Sequence, residues 1–259
     1  MRISPVFISG LTIVAVIAMS GALAPIIAPF DPNKSSVFFL QAPSERHWLG
    51  TDELGRDIFS RLLYGTRTSL VIGFFASLLA VIIGVPVGLA AGYLGGRTDI
   101  VVVQLIDLFI ALPGLVLALI ITVMVGPSLL NLVLVLGFVM WPVVARLVRG
   151  QTLAVREMPY VEAAVASGGT TLWIIRSHVW PNIFRIVAAQ FAVTVSFAII
   201  TSASLSFLGL GIPPPTADWG SMVKSGFDFL AVNPAMSLAP GGAIALTVLG
   251  FYLLGTAAK

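Results

Sequence analysis

"EAAVASGGTTLWIIRSHVWPN", residues 162–182, is a polar, mildly basic stretch set between two long apolar runs. Connections between packed helices usually need only about 2–8 residues, so roughly twenty held out of the apolar phase ask for a reason. The surroundings sharpen the question. The 259-residue chain is 58% hydrophobic and 10% charged, and its mean hydropathy is +1.04. Soluble domains carry about 25% charged residues, so these few charges cannot cover a water-soluble surface. Several runs exceed the ~20 apolar residues that cross a bilayer. The chain therefore reads as an all-α integral membrane protein, because lipid requires every backbone polar group to be satisfied within its own segment.

Moving outward from that stretch, six spans emerge. Residues 3–30 carry no charge. Ala22-Leu23-Ala24 imitates a signal-peptide cleavage site, but the apolar run continues past it and Pro25 suits a cut poorly, so residues 1–30 read as an uncleaved first span. Residues 31–67 form a long hydrophilic connection. At its end Ile58 and Leu62, and Phe59 and Leu63, are spaced as on a helix among Arg56, Arg61 and Arg67, a pattern expected of a short helix lying in the membrane interface. Residues 68–259 form a five-helix core. In its first run Gly84, Gly88, Gly92 and Gly96 recur every four residues, giving one smooth helix face where another backbone can approach; Pro86 is expected to kink that helix. Residues 108–145 are uncharged but too long for one span, and Gly126-Pro127-Ser128 divides them into a helical hairpin. After the polar stretch, a fifth span runs from Ile186 to about Gly209. "GLGIPPPTADWG", residues 209–220, cannot be continuous helix, since its three successive prolines lack donors and clash. Residues 238–258 supply the sixth span.

With the N-terminus inside, the inner face holds Arg2, Arg97, Arg146, Arg149, Arg156, Arg176, Arg185 and Lys259, and the outer face holds Lys34, Arg46, Arg56, Arg61, Arg67 and Lys224. This orientation satisfies the positive-inside rule by a small margin. The outer connection also carries Asp31, Glu45, Asp52, Glu53 and Asp57. The net charge of +3 is small and dispersed, which gives no nucleic-acid signal.

Several chemistries are missing. No lysine follows a glycine, so the phosphate-cradling Gly-Lys-Ser/Thr loop of an ATPase is absent. There is no cysteine, which removes thiolate metal sites and thiol nucleophiles. His47 and His178 fall in polar connections on opposite sides, where they read as loop and helix-packing residues and cannot share a metal. Asp107 is the one acid inside a span, and an acid there carries a cost that marks it for attention. It reads as a boundary acid paired with an arginine or a helix end; the alternative is a coupling or translocation role.

The opening stretch resembles the EAA loop of ABC importer permeases. Glu162-Ala163-Ala164, Gly168 and Pro181 match its pattern, while Trp180 departs from it. "HWLGTDELGRDIFSRLLYG" (residues 47–65) and "SFLGLGIPPPTADWG" (residues 206–220) are similar to signatures of the dipeptide, oligopeptide and nickel branch, as are "DLFIALPGLVLALI" and "ARLVRG". The resemblance spans about residues 47–255. The family usually continues with a charged tail where this chain has Thr256 and ends at Lys259, which implies a truncated or altered last segment.

The resemblance implies the type I importer permease fold in a bacterial or archaeal cytoplasmic membrane, with the N-terminus cytoplasmic. It implies a second homologous permease, two ATP-binding subunits holding ATP and Mg, an extracytoplasmic solute-binding protein, and no cofactor on this chain. It makes residues 150–182 a cytoplasmic loop whose coupling helix contacts the ATPases through Glu162, Ala163, Ala164, Gly168, Gly169 and Pro181. The small alanines let that helix enter a groove, the glycines let the chain turn, and Pro181 is expected to reset it before the next span. The outer loops containing Asp52, Arg56, Asp57, Pro214, Asp218 and Trp219 are expected to face the binding protein. The implied cargo is a di- or oligopeptide, with nickel chelates, glutathione or another small solute as alternatives. A self-powered secondary transporter using Asp107 is the remote alternative; it would show an internal repeat of broken helices, which the sequence does not.

Overall fold

The computed structural model describes residues 4–257. Arg2 and Lys259, which enter the charge comparison, lie outside them, as do Ile3 and Ala258 at the ends of the expected first and last spans.

Among the described residues eleven α-helices follow one another: α1 (Pro5–Ala22), α2 (Ala24–Ile27), α3 (Ile58–Leu94), α4 (Gly96–Ile110), α5 (Gly114–Val125), α6 (Leu129–Arg156), α7 (Pro159–Ala166), α8 (Thr171–Ile174), α9 (Trp180–Phe207), α10 (Trp219–Phe227) and α11 (Ala235–Ala257), with a π-turn at Ile175–Val179 joining α8 to α9. Five helical stretches are long and apolar enough to cross a membrane, and α4 with α5 makes a sixth that is bent by 82°. Counting that bent pair as one span gives the expected six, with the third broken at Ala111–Pro113. Pro113 supplies the break, since the residue before a proline is pushed out of helical geometry.

Two helical stretches of 37 residues organise the molecule, α3 and the run Thr171–Phe207. Each is about 55 Å long, well beyond the ~30 Å apolar layer. One consequence is a correction. The expected interfacial helix is not a separate element, because residues 58–67 are the outer turns of α3. Ile58, Ser60, Arg61 and Leu63 are buried there by protein, so the amphipathic pattern answers to a protein lid and not to lipid. The helix starts at Asp57, whose Oδ2 accepts from the Ser60 N–H at 2.8 Å, and it runs through Pro86 to a Gly95 cap at φ +68°.

The core is a set of helix pairs brought close by small residues. α3 lies along α6, α1 along α11, and α9 crosses both α3 and α11. A Cβ added at Gly84 would sit 2.8 Å from the Trp141 carbonyl oxygen, at Gly88 2.6 Å from that of Ala145, and at Gly92 2.8 Å from that of Arg149. The expected glycine face is thus the seam between α3 and α6. Gly96 does not belong to it. α3 has already ended, Gly96 has φ +55°, and nothing lies within 4 Å of its would-be Cβ. It is a turn residue.

Pro181 also differs from expectation. It does not reset the chain, since the helix continues from Thr171 to Phe207 without a break. The π-turn just before it absorbs the missing donor, with the Trp180 N–H bonding to the Ile175 carbonyl five residues back.

Candidate functional site

At the end of the bundle that the expected orientation makes the inner one, α6 terminates at Arg156 and the chain turns into α7. Pro159 occupies the first helical position of α7, where no donor is needed. Val161 and Ala164 face inward and pack with Ile174, Tyr93 and Val155. Glu162 and Ala163 face outward. The helix ends in a Schellman arrangement: the Gly168 N–H donates to the Val165 carbonyl and the Gly169 N–H to the Ala164 carbonyl, both at 3.0 Å, with Gly168 at φ +81°. That left-handed position favours glycine. Gly169 is needed for a different reason, because a Cβ there would lie 2.9 Å from the Ala164 carbonyl and 3.0 Å from the Trp173 ring. α8 follows with Thr170 as its cap. The result is a helix–turn–helix lever with an apolar outer surface: Met158, Tyr160, Val165, Leu172 and Trp173 are all exposed.

The lever is tied to the bundle at its base. Arg156 Nη1 donates to the Tyr93 carbonyl at 3.0 Å, joining the inner ends of α6 and α3. His178 sits between Trp173, 4.9 Å away, and Tyr160, 6.2 Å away, as expected of a packing residue.

The outer end is built differently. Asp52 Oδ1 accepts from the Leu54 and Arg56 N–H groups at 2.9 Å, and Oδ2 accepts from Arg56 Nε at 2.7 Å. Arg61 Nε approaches the same carboxylate at 3.6 Å, while its Nη1 donates to the Pro32 carbonyl at 2.9 Å. Asp57 Oδ1 is 2.9 Å from His47 Nδ1. Asp218 caps α10 by accepting from the Ser221 N–H at 3.0 Å. Trp219 lies over Gly65 and donates its Nε1–H to the Leu62 carbonyl at 3.0 Å. Burial pushes the Asp218 carboxyl above the ordinary carboxylate range, with the hydrogen bonds from Ser221 holding it back in part.

This corrects the expected docking residues. Asp52, Arg56, Asp57, Asp218 and Trp219 are all buried within this chain, and their side chains bind the two outer connections to each other. Buried charges persist only when paired and hydrogen-bonded, as Asp52 is with Arg56 and Asp57 with His47. Pro214 is exposed, as is Thr216. Beneath them lies a cavity of about 480 Å³ whose lining includes Arg56, Arg61, Ser206 and Lys224.

Residues 84–258 match the family model described as "Binding-protein-dependent transport system inner membrane component". The chain belongs to this family. The permease is 41% identical over 215 residues to the glutathione transport system permease protein GsiD of Pectobacterium atrosepticum, covering 83% of this chain and 71% of that one. It is 38% identical over 251 residues to the dipeptide transport system permease protein DppC of Alkalihalophilus pseudofirmus, covering 96% and 82%, and 36% identical over 247 residues to the oligopeptide transport system permease protein OppC of Bacillus subtilis, covering 95% and 81%. In fold it is similar to the MetNI methionine ABC transporter in an inward-facing form, with TM-score 0.63 and 19% identity, covering 76% of this chain and 93% of that one. The fold is that of a type I importer permease, in a multi-pass membrane protein.

Asp107 of the permease pairs with Arg146, the arginine partner that the sequence suggested. Among the described residues no group of three or more metal-binding side chains comes together. Sequence reasoning missed α10 entirely, together with the structural roles of Arg61 and Asn233. The latter's Nδ2 donates to the Gln41 and Leu49 carbonyls at 3.2 and 3.3 Å. A signal was present: Asp218 precedes Ser221 by three residues just as Asp57 precedes Ser60, the spacing of a helix N-cap.

Proposed function

We propose that this permease is one half of a membrane pore for di- or oligopeptides, powered by ATP hydrolysis on separate subunits. A second, related permease would complete the pathway. An extracytoplasmic binding protein would deliver cargo to the outer end, where Pro214 and Thr216 are exposed. The lever at α7 and α8, on the cytoplasmic side, would dock into the two ATP-binding subunits, which carry ATP and Mg. The observation that carries this reading is the lever itself. Its glycine-terminated turn is rigid, its outer surface is apolar and exposed, and its two arms continue into α6 and α9, so a displacement at the lever is delivered to two spans at once. Closing the ATPases would then shift the pathway between inward- and outward-open forms. The relatives named for dipeptide and oligopeptide transport support the cargo. A second reading, glutathione as cargo, is supported by the relative named for that transport.

The test uses the chain's lack of cysteine. Thr216→Cys is expected to react with an impermeant thiol reagent in intact cells, and the chain is expected to co-purify with ATPase subunits whose hydrolysis rises with loaded binding protein. Labelling only after the cytoplasmic side is opened overturns the orientation. A saturable ATP site on the isolated chain overturns the division of labour. Mass spectrometry of ligand released from the co-expressed binding protein separates peptide from glutathione.

A further inference from the structure

The cavity between the two outer connections holds more positive charge than its own acids neutralise. Arg56, Arg61 and Lys224 line it, against Asp52 and Glu53. Asp52 is already engaged: its Oδ1 accepts two backbone N–H groups, and its Oδ2 accepts the Arg56 Nε–H at 2.7 Å. Arg61 comes only within 3.6 Å of that oxygen. Its Nη1 donates to the Pro32 and Pro215 carbonyls at 2.9 and 3.3 Å, which orient the guanidinium and neutralise nothing. Lys224 makes no ion pair among the described residues. Arg61 is bonded to Pro215 just ahead of α10, and Ser221 and Lys224, one turn apart on α10, both line the cavity. The surplus charge therefore lies along that wall. Gly209 leaves the ammonium its room, since a Cβ there would sit 2.9 Å from Lys224 Nζ.

A second observation concerns an acceptor in the same lining. Glu53 Oε2 is a buried atom with no hydrogen-bond partner among the described residues, and Glu53 Oε1 meets Arg56 Nη2 only at 3.5 Å. Buried polar atoms in folded proteins are nearly always hydrogen-bonded, so this oxygen suits a donor brought by a ligand. The remaining walls are largely apolar and include Ile58, Ile212, Met222 and Met236. Methionine side chains adapt to many shapes. Sites for small solutes are pre-formed, mostly apolar pockets of about 300–1,000 Å³ with a few placed polar groups. At about 480 Å³ this cavity suits such a solute better than a folded loop of another protein.

We propose that this cavity is a binding site on the permease itself for a short peptide with a free C-terminal carboxylate. The carboxylate pairs with the Lys224 ammonium in the field of Arg61, an N–H of the peptide donates to Glu53 Oε2, and the peptide's side chains lie against Met222 and Met236. A phosphate group would set its second negative charge against Glu53, whereas a carboxylate matches the surplus of one. The site reads the main chain and leaves the side chains to adaptable walls, so it accepts many sequences. The inference rests on the importer reading above and gives its cargo a stop at the outer end, after the binding protein and before the membrane.

The test is made on the permease purified with its partner permease and ATPases, first without binding protein. Thr216 lines the cavity and is exposed, so Thr216→Cys serves as the reporter. A dipeptide with free termini, at millimolar concentration, is expected to slow the reaction of Thr216→Cys with a water-soluble thiol reagent. The matching dipeptide amide, which lacks the carboxylate, is expected to leave the rate unchanged. Lys224→Gln in the reporter chain should raise the half-protecting dipeptide concentration about tenfold, the change that one charge-assisted hydrogen bond makes, and Lys224→Arg should restore it. Lys224 is exposed and unpaired, so neither variant should move the thermal unfolding midpoint, and lost protection is then not lost folding. No protection by any dipeptide, equal protection by the amide, or an unchanged half-protecting concentration in Lys224→Gln overturns the proposal while the importer reading stands. So does protection that appears only when binding protein is added, which would make the cavity a socket for an acidic side chain of that protein. Hydrolysis by the parent complex that fails to respond to loaded binding protein overturns the importer reading itself.

Discussion

The two ends of this permease solve opposite problems with similar sequence material. The outer end is rich in charge and tightly closed. Asp52, Arg56, Asp57 and Arg61 are buried and share hydrogen bonds with backbone from residues 32 to 60. The inner lever has few charges and is open, with Glu162 and Ala163 facing outward on a short helix stopped by Gly168. A motif rich in charged residues is thus the structural one, and a motif of alanines and glycines is the exposed one. Charge in sequence suggests surface because single charges are costly to bury. A network that satisfies every member reverses the inference, because each charge then holds a loop in place.

That contrast can be broken experimentally. The largest effect is expected at the outer end. Asp52→Ala leaves Arg56 and Arg61 buried without their shared carboxylate, and losing one partner of a buried pair costs about 3–5 kcal/mol. Thermal unfolding in detergent should show a marked loss, and an unchanged midpoint would mean the network is ornamental. A smaller effect is expected at the lever. Gly168→Val forces a β-branched residue into φ +81°, a strain of about 1–3 kcal/mol, with no steric clash because nothing lies within 4 Å of its would-be Cβ. Glu162→Lys, on the exposed face beside it, should leave stability within about 0.5 kcal/mol. Both should insert normally but weaken ATPase docking or the hydrolysis response, measured in the same preparations. Full coupling in both would reduce the lever to a loop.

The smallest effect is a pH effect. Asp218 has its folded-state pKa raised by burial, so its favourable contribution is complete below the unfolded carboxylate value and is lost as pH rises through the folded one. Asp218→Asn keeps an N-cap and removes the titration. The variant should therefore be more stable than the parent at neutral pH, with the difference vanishing in acid. Proteolysis of the outer connection across a pH series reads it, and a difference that grows as pH falls would reverse the sign.

Much of the fold was legible in the chain because apolar length and glycine spacing act locally. The six apolar stretches, the seam at Gly84, Gly88 and Gly92, and the turn at Gly168 all follow from rules that operate within a few residues. What stayed hidden depends on distant partners. Arg61 reads as an interfacial cation until Pro32 and Pro215 are brought to it. Trp219 reads as a surface aromatic until Gly65, far back in sequence, opens a place for it. The nine residues of α10 are too short and too polar to announce a helix, and only the cap at Asp218 betrays them. Gly96 was drawn into the seam by periodicity alone, which cannot tell where α3 stops.

The turn at Ile175–Val179 makes one final point, about phase. In a straight α-helix, residues five apart lie roughly 140° round from one another. Along Thr171–Phe207 the fully buried aliphatic positions on one stripe are Ile174, Val179, Ile183 and Val187, spaced five, four and four. The first interval would throw Ile174 off the stripe, but a turn closed five residues back returns it to nearly the same side. The extra residue works as a vernier: it lets Ile174 lock into the hydrophobic patch under α7 while Val179, Ile183 and Val187 stay engaged with Val144 and Val148 in the core of the helix bundle. Lever and span therefore share one unbroken seam of side chains, and the odd interval of five is the place in the sequence where two periodicities are stitched together.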